Sequence, residues 1–493
     1  MKKNFEFKLK RSNKERFEVG CVDDGCMWKL RASKASSYLI GQCIKSKYEG
    51  VSRVHRPHDI VEDMRKDMGV SISYVKAWRA REHALELVRG LAKESYMRLP
   101  SYCAMLEAKN LGFHSVIRPV IALDETFLKG KYLGTLFVAT CKDGNNQIYP
   151  LAFGVGDSEN DTSWNWFLTK LRGAIGHIDD LVFISDRHES IWKAISTIFP
   201  DAHHGACIFH ISQNLKNHFK HERAHSLYFR AAKAYRIHEF DHMVQIFNVV
   251  PYVGNYLHAA GYEKWARAYF NGKRYNLMTT NIAECLNSIT RDARKMPITN
   301  FMEYLRMNIL QNWFHKRQTE AAKMDSHLTE WADKLVRENN QKRLSLQVSS
   351  IEAYSFHVYD GSCVEVVNLE GKCCTCREFD LDQLPCAHAC AVCRHRQISC
   401  YPMCSKYYTT NSLVIAYAEP IWLVGNQTDW VVPNDVRDRI VLSPITRRRH
   451  GRRKEKRIPS RGEEPSTRKC SQCGSTGHYR QTCKNPIALH PTS

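Results

Sequence analysis

No stretch of this chain reaches the roughly 18 consecutive apolar residues that a membrane-spanning helix needs, so a membrane partner is not expected. The opening Met1-Lys2-Lys3-Asn4-Phe5 leads into more charge and not into an apolar core, so a secretory signal is not expected either. Acid is scarce: 51 Asp and Glu stand against 72 Lys and Arg, a formal net charge of +21. An excess of that size attracts polyanions, and nucleic acid is the commonest such partner. No repeat with a period of about 20–50 residues is visible, which sets solenoids and propellers aside.

What is present is enough apolar material to fold. Hydrophobic residues make up 43% of 493, and that length implies three or four domains of about 100–200 residues. The 19 cysteines, in a chain expected inside the cell, should be thiols or metal ligands more than disulfides. Spacing separates the two roles. Cys470, Cys473, His478 and Cys483 form C-x2-C-x4-H-x4-C, in which two thiolates clasp one tetrahedral zinc and a His and a Cys close the shell. Gly474 and Gly477 permit the turns between ligands, and Tyr479 is set to stack on a base. This is the spacing of a zinc knuckle, a module for single-stranded nucleic acid. Cys374, Cys376, Cys386 and His388 form a second set, C-x-C-x9-C-x-H, similar to a SWIM zinc finger, with Cys373 and Cys390 as adjacent rivals. Cys21 and Cys26 offer half of a third site whose remaining ligands are unclear. Two zinc ions are therefore expected, and a third is left open.

The run from Arg447 to Arg457 has almost no apolar content and reads as a disordered linker. Its Arg452, Arg453 and Lys454 are candidates for phosphate contact, and such a run also serves as a nuclear import signal, so the nucleus is the expected location. Residues 59–94 read as helices with Tyr74, Ala77 and Trp78 on an apolar stripe, either a connector or a DNA contact.

The central segment carries the acids. Val120-Ile121-Ala122-Leu123-Asp124 is a buried strand that presents a carboxylate at its end. Strands at Thr135–Thr140 and Gln147–Val155 complete an antiparallel meander. A helix follows, capped by Asp161, Thr162 or Ser163, with Trp164, Phe167, Leu168 and Leu171 inward. Leu181-Val182-Phe183-Ile184-Ser185-Asp186 is a second strand ending in an acid, and Gly205–His210 a last one leading into a helix. Strand, strand, strand, helix, strand, helix, strand, helix is the order of an RNase H-like fold, in which Asp124 and Asp186 lie on neighbouring strands. Adjacent carboxylates need a cation, and oxygen ligands suit Mg²⁺ or Mn²⁺. Glu284, on a helix capped by Thr280 or Asn281, is the candidate third acid; Glu125, Asp157, Glu159 and Asp161 are set aside.

At this point the chain resembles the Mutator-like element (MULE, MuDR-type) transposases of plants. The matching residues are Ala122-Leu123-Asp124-Glu125-Thr126-Phe127-Leu128-Lys129-Gly130, Ile184-Ser185-Asp186-Arg187, Cys207-x2-His210, and Thr280-Asn281-Ile282-Ala283-Glu284 with Asn287, followed by the SWIM finger and the knuckle in the family's order. The resemblance implies that Asp124, Asp186 and Glu284 bind divalent metal, cut DNA at element ends and join the 3′-hydroxyl to a target, with Cys207 and His210 in support. It implies an α/β (α+β) multidomain protein: an MuDR-type DNA-binding domain at 1–58, a helical connector at 59–115, the RNase H-like transposase domain at 116–325 with a helical insertion at about 211–280, a SWIM finger at 355–400, the basic linker at 440–467 and the knuckle at 468–485. The family's N-terminal finger adds a His-x-Cys pair after its first two cysteines, and this chain has none between Lys45 and His58. A domesticated DNA-binding regulator without transposition is therefore the alternative. Self-association is left open.

Overall fold

The protein is described by a computed structural model covering residues 7–444, apart from 13–15, 23–24, 28, 34–35, 49–54, 110–115, 220–221, 248–250, 362, 420 and 422–429. It divides into two compact units, one drawn from 1–103, 292–303 and 432–443, the other from 104–291, 304–431 and 444 onward.

In the first unit β1 (Phe7–Ser12), β2 (Arg16–Cys21) and β3 (Lys29–Ser33) form an antiparallel sheet in that order. α1 (Ser37–Cys43) is capped by Ser36, whose hydroxyl accepts from Leu39 N. α2 (Pro57–Met68) opens on a proline, where no N–H is needed, and ends at Gly69 with φ 65°. α3 (Tyr74–Arg89) is capped by Ser73. Ile40, Ile60, Met64, Ile72, Ala77 and Ala84 are the apolar stripes these helices bury together. α4 (Ala92–Lys109) follows, with Ser95 Oγ 2.7 Å from Thr299 Oγ1 and Tyr102 Oη donating to Glu303 at 2.7 Å.

The second unit is mixed α/β. The apolar run at Val120 becomes β4 (Val120–Phe127), followed by β5 (Thr135–Lys142), β6 (Ile148–Gly156), α5 (Asp161–Ile175), β7 (Val182–Ser185), α6 (Glu189–Ile198), β8 (His203–Ala206) and α7 (Ile208–Phe219). The sheet order is β6-β5-β4-β7-β8. The first three strands are the expected antiparallel meander, and β7 and β8 run parallel to β4. Three local expectations shift. β4 continues past Asp124 to Phe127, because Glu125, Thr126 and Phe127 pair with β5. α5 is capped by Asn160, whose Oδ1 accepts from Ser163 N, one residue before the expected caps. The last strand ends at Ala206, so Cys207 is a junction and His210 is helical.

A helical insertion follows, α8 (Glu222–Lys233), α9 (Ile237–Phe247), α10 (Pro251–Ala259) and α11 (Tyr262–Trp265), packed around Tyr228, Phe240 and Trp265. Then come α12 (Asn281–Ile289), α13 (Ile298–Tyr304), which apart from Tyr304 belongs to the first unit, a π-helical stretch at Leu305–Gln311, α14 (Asn312–Ala321) and α15 (Glu330–Lys342). A four-stranded sheet closes the unit, built from β9 (Gln347–Ser350), β10 (Ser355–Asp360), β11 (Cys363–Asn368) and β12 (Cys373–Cys374) in the order β12-β11-β10-β9. α16 (Glu378–Asp382), α17 (Ala387–His395) and α18 (Thr410–Ala416) accompany it, and α19 (Asn434–Arg437) belongs to the first unit.

The period-two alternation of β4 and β7 assigns their faces. Ile121, Leu123 and Phe183 pack against α5 and α6 through Trp164, Leu168 and Ile191. Val120, Ala122, Val182 and Ile184 point the other way and share one core with Phe356, Val367, Cys374 and Cys386 of the second sheet's neighbourhood. Arg118 is buried at this junction. Its Nη2 donates to Asp143 O at 2.8 Å and Asn146 Oδ1 at 3.2 Å, and its guanidinium lies 5.5 Å from the Trp331 ring centroid and 5.6 Å from that of Tyr408. Arg118→Ala strips those acceptors of a buried donor, which should cost about 3 kcal/mol. Urea unfolding monitored by tryptophan fluorescence should show a lower midpoint, and an unchanged midpoint would remove Arg118 from the junction's energetics.

Candidate active site and zinc centre

Asp124 stands fifth in β4, held from both sides by β5 and β7. The parallel ladder pairs Ala122 with Ile184. Asp124 lies two residues further along β4 and Asp186 just past the end of β7, so extending the register puts the two acids on the same side at neighbouring positions. They are 9% and 5% exposed. Their face is the one that carries Val120, Ala122, Val182 and Ile184. Asp186 Oδ1 accepts from His188 N at 2.9 Å as the chain turns into α6, and Trp192 Nε1 donates to Asp186 O at 3.0 Å.

α12 supplies the next layer. Ile282, Ala283 and Leu286 are its buried side. Glu284 and Asn287, three residues apart, project together. Asn287 Nδ2 donates to Asp124 Oδ2 at 2.7 Å, which ties α12 to β4 beside the acid. Glu284 Oε1 lies 3.5 Å from His210 Nε2 in the first turn of α7. Thr280 is the N-cap residue of α12, as one of the two expected candidates, yet its side chain does not cap the helix. Its Oγ1 and N both donate to Cys207 Sγ, at 3.4 and 3.3 Å, so the hydroxyl is spent on joining α12 to the start of α7.

The electrostatics follow from burial. Burial opposes a charge on His210, but the hydrogen bond to Cys207 and the charges of Cys207, Asp186 and Asp124 outweigh it and lift the imidazole to about 9. Burial likewise raises the Cys207 thiol, while His210 and Thr280 outweigh it and bring the thiol below its ordinary value. The raised imidazole owes most to Cys207 and less to Asp186 and Asp124, and it stands beside Glu284. Of the acids set aside, Glu159 comes nearest in role: its Oε1 is 3.3 Å from His188 Nδ1, one step from Asp186. In the sequence Asn287 stands only as part of the family-like segment with Glu284; its hydrogen bond to Asp124 has no sign there.

The four ligands of the SWIM-like spacing do converge. Cys374, Cys376, Cys386 and His388 are all buried, with their ligand atoms within 4.8 Å of one another. His388 Nδ1 is 3.8 Å from both Cys374 Sγ and Cys386 Sγ. A tetrahedral ion with Zn–S of about 2.3 Å and Zn–N of about 2.0 Å spaces its ligand atoms about 3.6–3.8 Å apart, so the donor set fits zinc. The tight local geometry comes from Arg377 and Gln383, both with positive φ at the ends of α16, and from Cys386 acting as N-cap of α17. Without a cation the thiols hold one another protonated, and the Cys376 side chain pushes the Cys374 thiol up. Asp360 Oδ2, 3.7 Å from His388 Nε2, is the outer partner that sequence spacing could not indicate. Of the rivals, Cys373 is half-buried outside the group, and Cys390 Sγ points to Pro385 O at 3.8 Å.

Among the described residues this is the one set of three or more such ligand atoms so closely grouped; Asp124, Asp186 and Glu284 do not form another. Cys21 ends β2 half-buried and Cys26 is exposed, and neither joins a set. His55 Nε2 faces Asp63 at 2.7 Å and His58 Nδ1 faces Glu62 at 3.3 Å. Cys470, Cys473, His478, Tyr479 and Cys483, with Arg452, Arg453 and Lys454, lie outside the described residues.

Comparison with known proteins bears on the same segments. Residues 120–214 match the MULE transposase domain, which takes in Asp124, Asp186, Cys207 and His210 and ends before Glu284. Residues 360–397 match the SWIM zinc finger, and residues 1–39 match the MuDR family transposase. A PKS-NRPS hybrid synthetase cheA of Chaetomium globosum is 26% identical over 105 residues, which is 20% of this chain and 2% of the synthetase. The Drosophila P element transposase strand transfer complex aligns at 11% identity and a TM-score of 0.18, over 58% of this chain and 87% of that one, a score from which no shared fold follows. A MULE transposase domain, a SWIM zinc finger and a MuDR family transposase segment are thus matched in one polypeptide, with the finger's four ligands gathered in space, and together these matches support a Mutator-like transposase.

Proposed function

We propose that the chain is a DNA-binding, metal-dependent transposase whose second unit holds an RNase H-like core, and that Asp124, Asp186 and Glu284 are its catalytic acids. The observation that carries this reading is the β4–β7 register, which, carried two residues past the Ala122–Ile184 pair, puts the buried Asp124 and Asp186 side by side. Oxygen donors of this kind suit Mg²⁺ or Mn²⁺. Such a cation, when bound, supplies Lewis-acid activation of a water or 3′-hydroxyl and charge for the leaving phosphate oxygen.

The chain's own residues do the rest. Asp124 and Asp186 present anionic oxygens from a rigid sheet, His188 N fixes the rotamer of Asp186, and Asn287 fixes that of Asp124. His210 restrains Glu284. Cys207, through Thr280, sets the start of α12. Asn287→Ala should therefore lower the cleavage rate by about 10–100-fold with DNA affinity unchanged; an equal fall in affinity would make Asn287 a DNA contact instead.

The test uses the full chain, duplex DNA from the ends of any terminal inverted repeats found on either side of its gene, and Mg²⁺ or Mn²⁺. Nicked ends and joined products are expected. The second reading, a regulator that binds DNA without cutting it, is favoured by the missing His-x-Cys and by Cys21 and Cys26 standing apart from any ligand set among the described residues. Tight binding to those ends with no cleavage in either metal would establish that reading and sink the first.

A further inference from the structure

The helices of the first unit contain a surface that none of the matched domains accounts for. α2 and α3 are joined by Gly69-Val70-Ser71-Ile72-Ser73. Gly69 ends α2 in the left-handed region, Ile72 turns into the core, and Ser73 caps α3. That is a helix, a tight glycine-led turn and a second helix. α1 backs this pair. A Cβ added at Gly41 would lie 2.8 Å from Ala80 O, so α1 presses on the Ala77–Ala80–Ala84 side of α3 and commits that side to the core.

The opposite side of α3, in its first turns, is open. Tyr74, Val75 and Trp78 are 60%, 57% and 47% exposed. Arg79 is exposed beside them, and Lys76 is half-buried. No acid occurs in the first turn; the first on the helix is Glu82, whose carboxylate is 3.0 Å from Arg81. Arg65 and Lys66 are exposed at the end of α2, beside the exposed Asp67. The opening turns of a second helix, basic and aromatic together, complement the edge of a B-DNA major groove. That groove, about 12 Å wide, admits one helix, with cations on phosphates and apolar side chains on thymine methyls. The 16 residues of α3 span about 24 Å, enough to lie along it.

We propose that α2 and α3 form a helix-turn-helix that docks double-stranded DNA, with α3 entering the major groove through Tyr74, Lys76, Trp78 and Arg79. The proposal rests on the DNA-binding part of the function proposed above and adds a duplex contact beyond the segment that matches the MuDR family.

The full chain is selected on a pool of duplexes with a random core, and the enriched sequence is footprinted with hydroxyl radicals. The double variant Lys76→Ala/Arg79→Ala should bind at least about tenfold more weakly, lower the salt slope by about 2, and lose protection over one block of base pairs while keeping the rest. Trp78→Ala should lose the same block with the slope unchanged. Glu86→Ala, on the same helix beyond the basic turns, should bind as wild type. These side chains lie outside the core, and unchanged melting temperatures would exclude unfolding as the cause. Wild-type binding with identical affinity and footprint in both variants overturns the helix-turn-helix and leaves the DNA reading standing. If Trp78→Ala shifts only the sedimentation of the chain, the face is a protein contact and the proposal fails. If the wild type enriches no duplex at all, the DNA reading falls first and takes this proposal with it.

Discussion

Removing zinc from the intact chain is expected to unfold the second unit, not merely to loosen a tethered finger. Cys374, Cys376 and Cys386 belong to the same buried cluster as Val120, Ala122, Val182 and Ile184 of the central sheet and Ile282 of α12. The finger is also bolted to the helical insertion. Arg377, next to the ligand Cys376, donates to Ala268 O; Arg236 pairs with Glu365; and Tyr235 Oη donates to Asp382 Oδ2 at 2.5 Å. A structural zinc contributes apparent free energies of about 10–16 kcal/mol in small peptides, while whole domains are stable by about 5–15 kcal/mol. Metal removal can therefore cancel the whole stability of a core that is shared. Three buried thiols and an imidazole left without their cation add further cost. Chelation should abolish cooperative thermal unfolding and remove hydrogen-exchange protection from the amides of Val120–Leu123. Cys386→Ser should do the same, while Cys373→Ser should retain metal. If the β4 amides stay protected in the chelated protein, the finger is a separable module and the shared core carries little energy.

Local pattern revealed more of this arrangement than of its consequences. The apolar run into Asp124, the second into Asp186 and the C-x-C-x9-C-x-H spacing are local signals, and each element formed where its pattern lay. β4 outran its apolar stretch because backbone pairing with β5 carries Glu125 and Thr126, whose side chains say nothing of it. At the start of α5 several capping residues stand in a row, and only backbone geometry selects Asn160. Thr280 could not be read as a partner of Cys207, since a threonine at a helix start looks like a cap. The continuity of the finger's core with the sheet had no local sign at all. It joins residues far apart in sequence, each apolar for a reason that its own element already supplies.

Asp186→Asn is expected to abolish strand cleavage and joining while leaving the fold intact. The substitution is nearly isosteric, and the side-chain oxygen that accepts from His188 N can be kept by the amide. What is lost is one of two neighbouring carboxylates, one on β4 and one just past the end of β7. A cation site short of a carboxylate loses both affinity and alignment, and a deficit of about 4 kcal/mol in transition-state stabilisation is about a thousandfold in rate. The same exchange at Asp124 can likewise keep the oxygen that accepts from Asn287 Nδ2, so it should serve as a second test of charge. Asp186→Asn thus isolates charge from architecture. The measurement is strand transfer with Mg²⁺ and with Mn²⁺, alongside zinc content and melting temperature. Lost transfer with zinc and melting preserved supports the triad. Transfer at the wild-type rate would mean that these neighbouring acids are not the catalytic pair, however well their register suits the task.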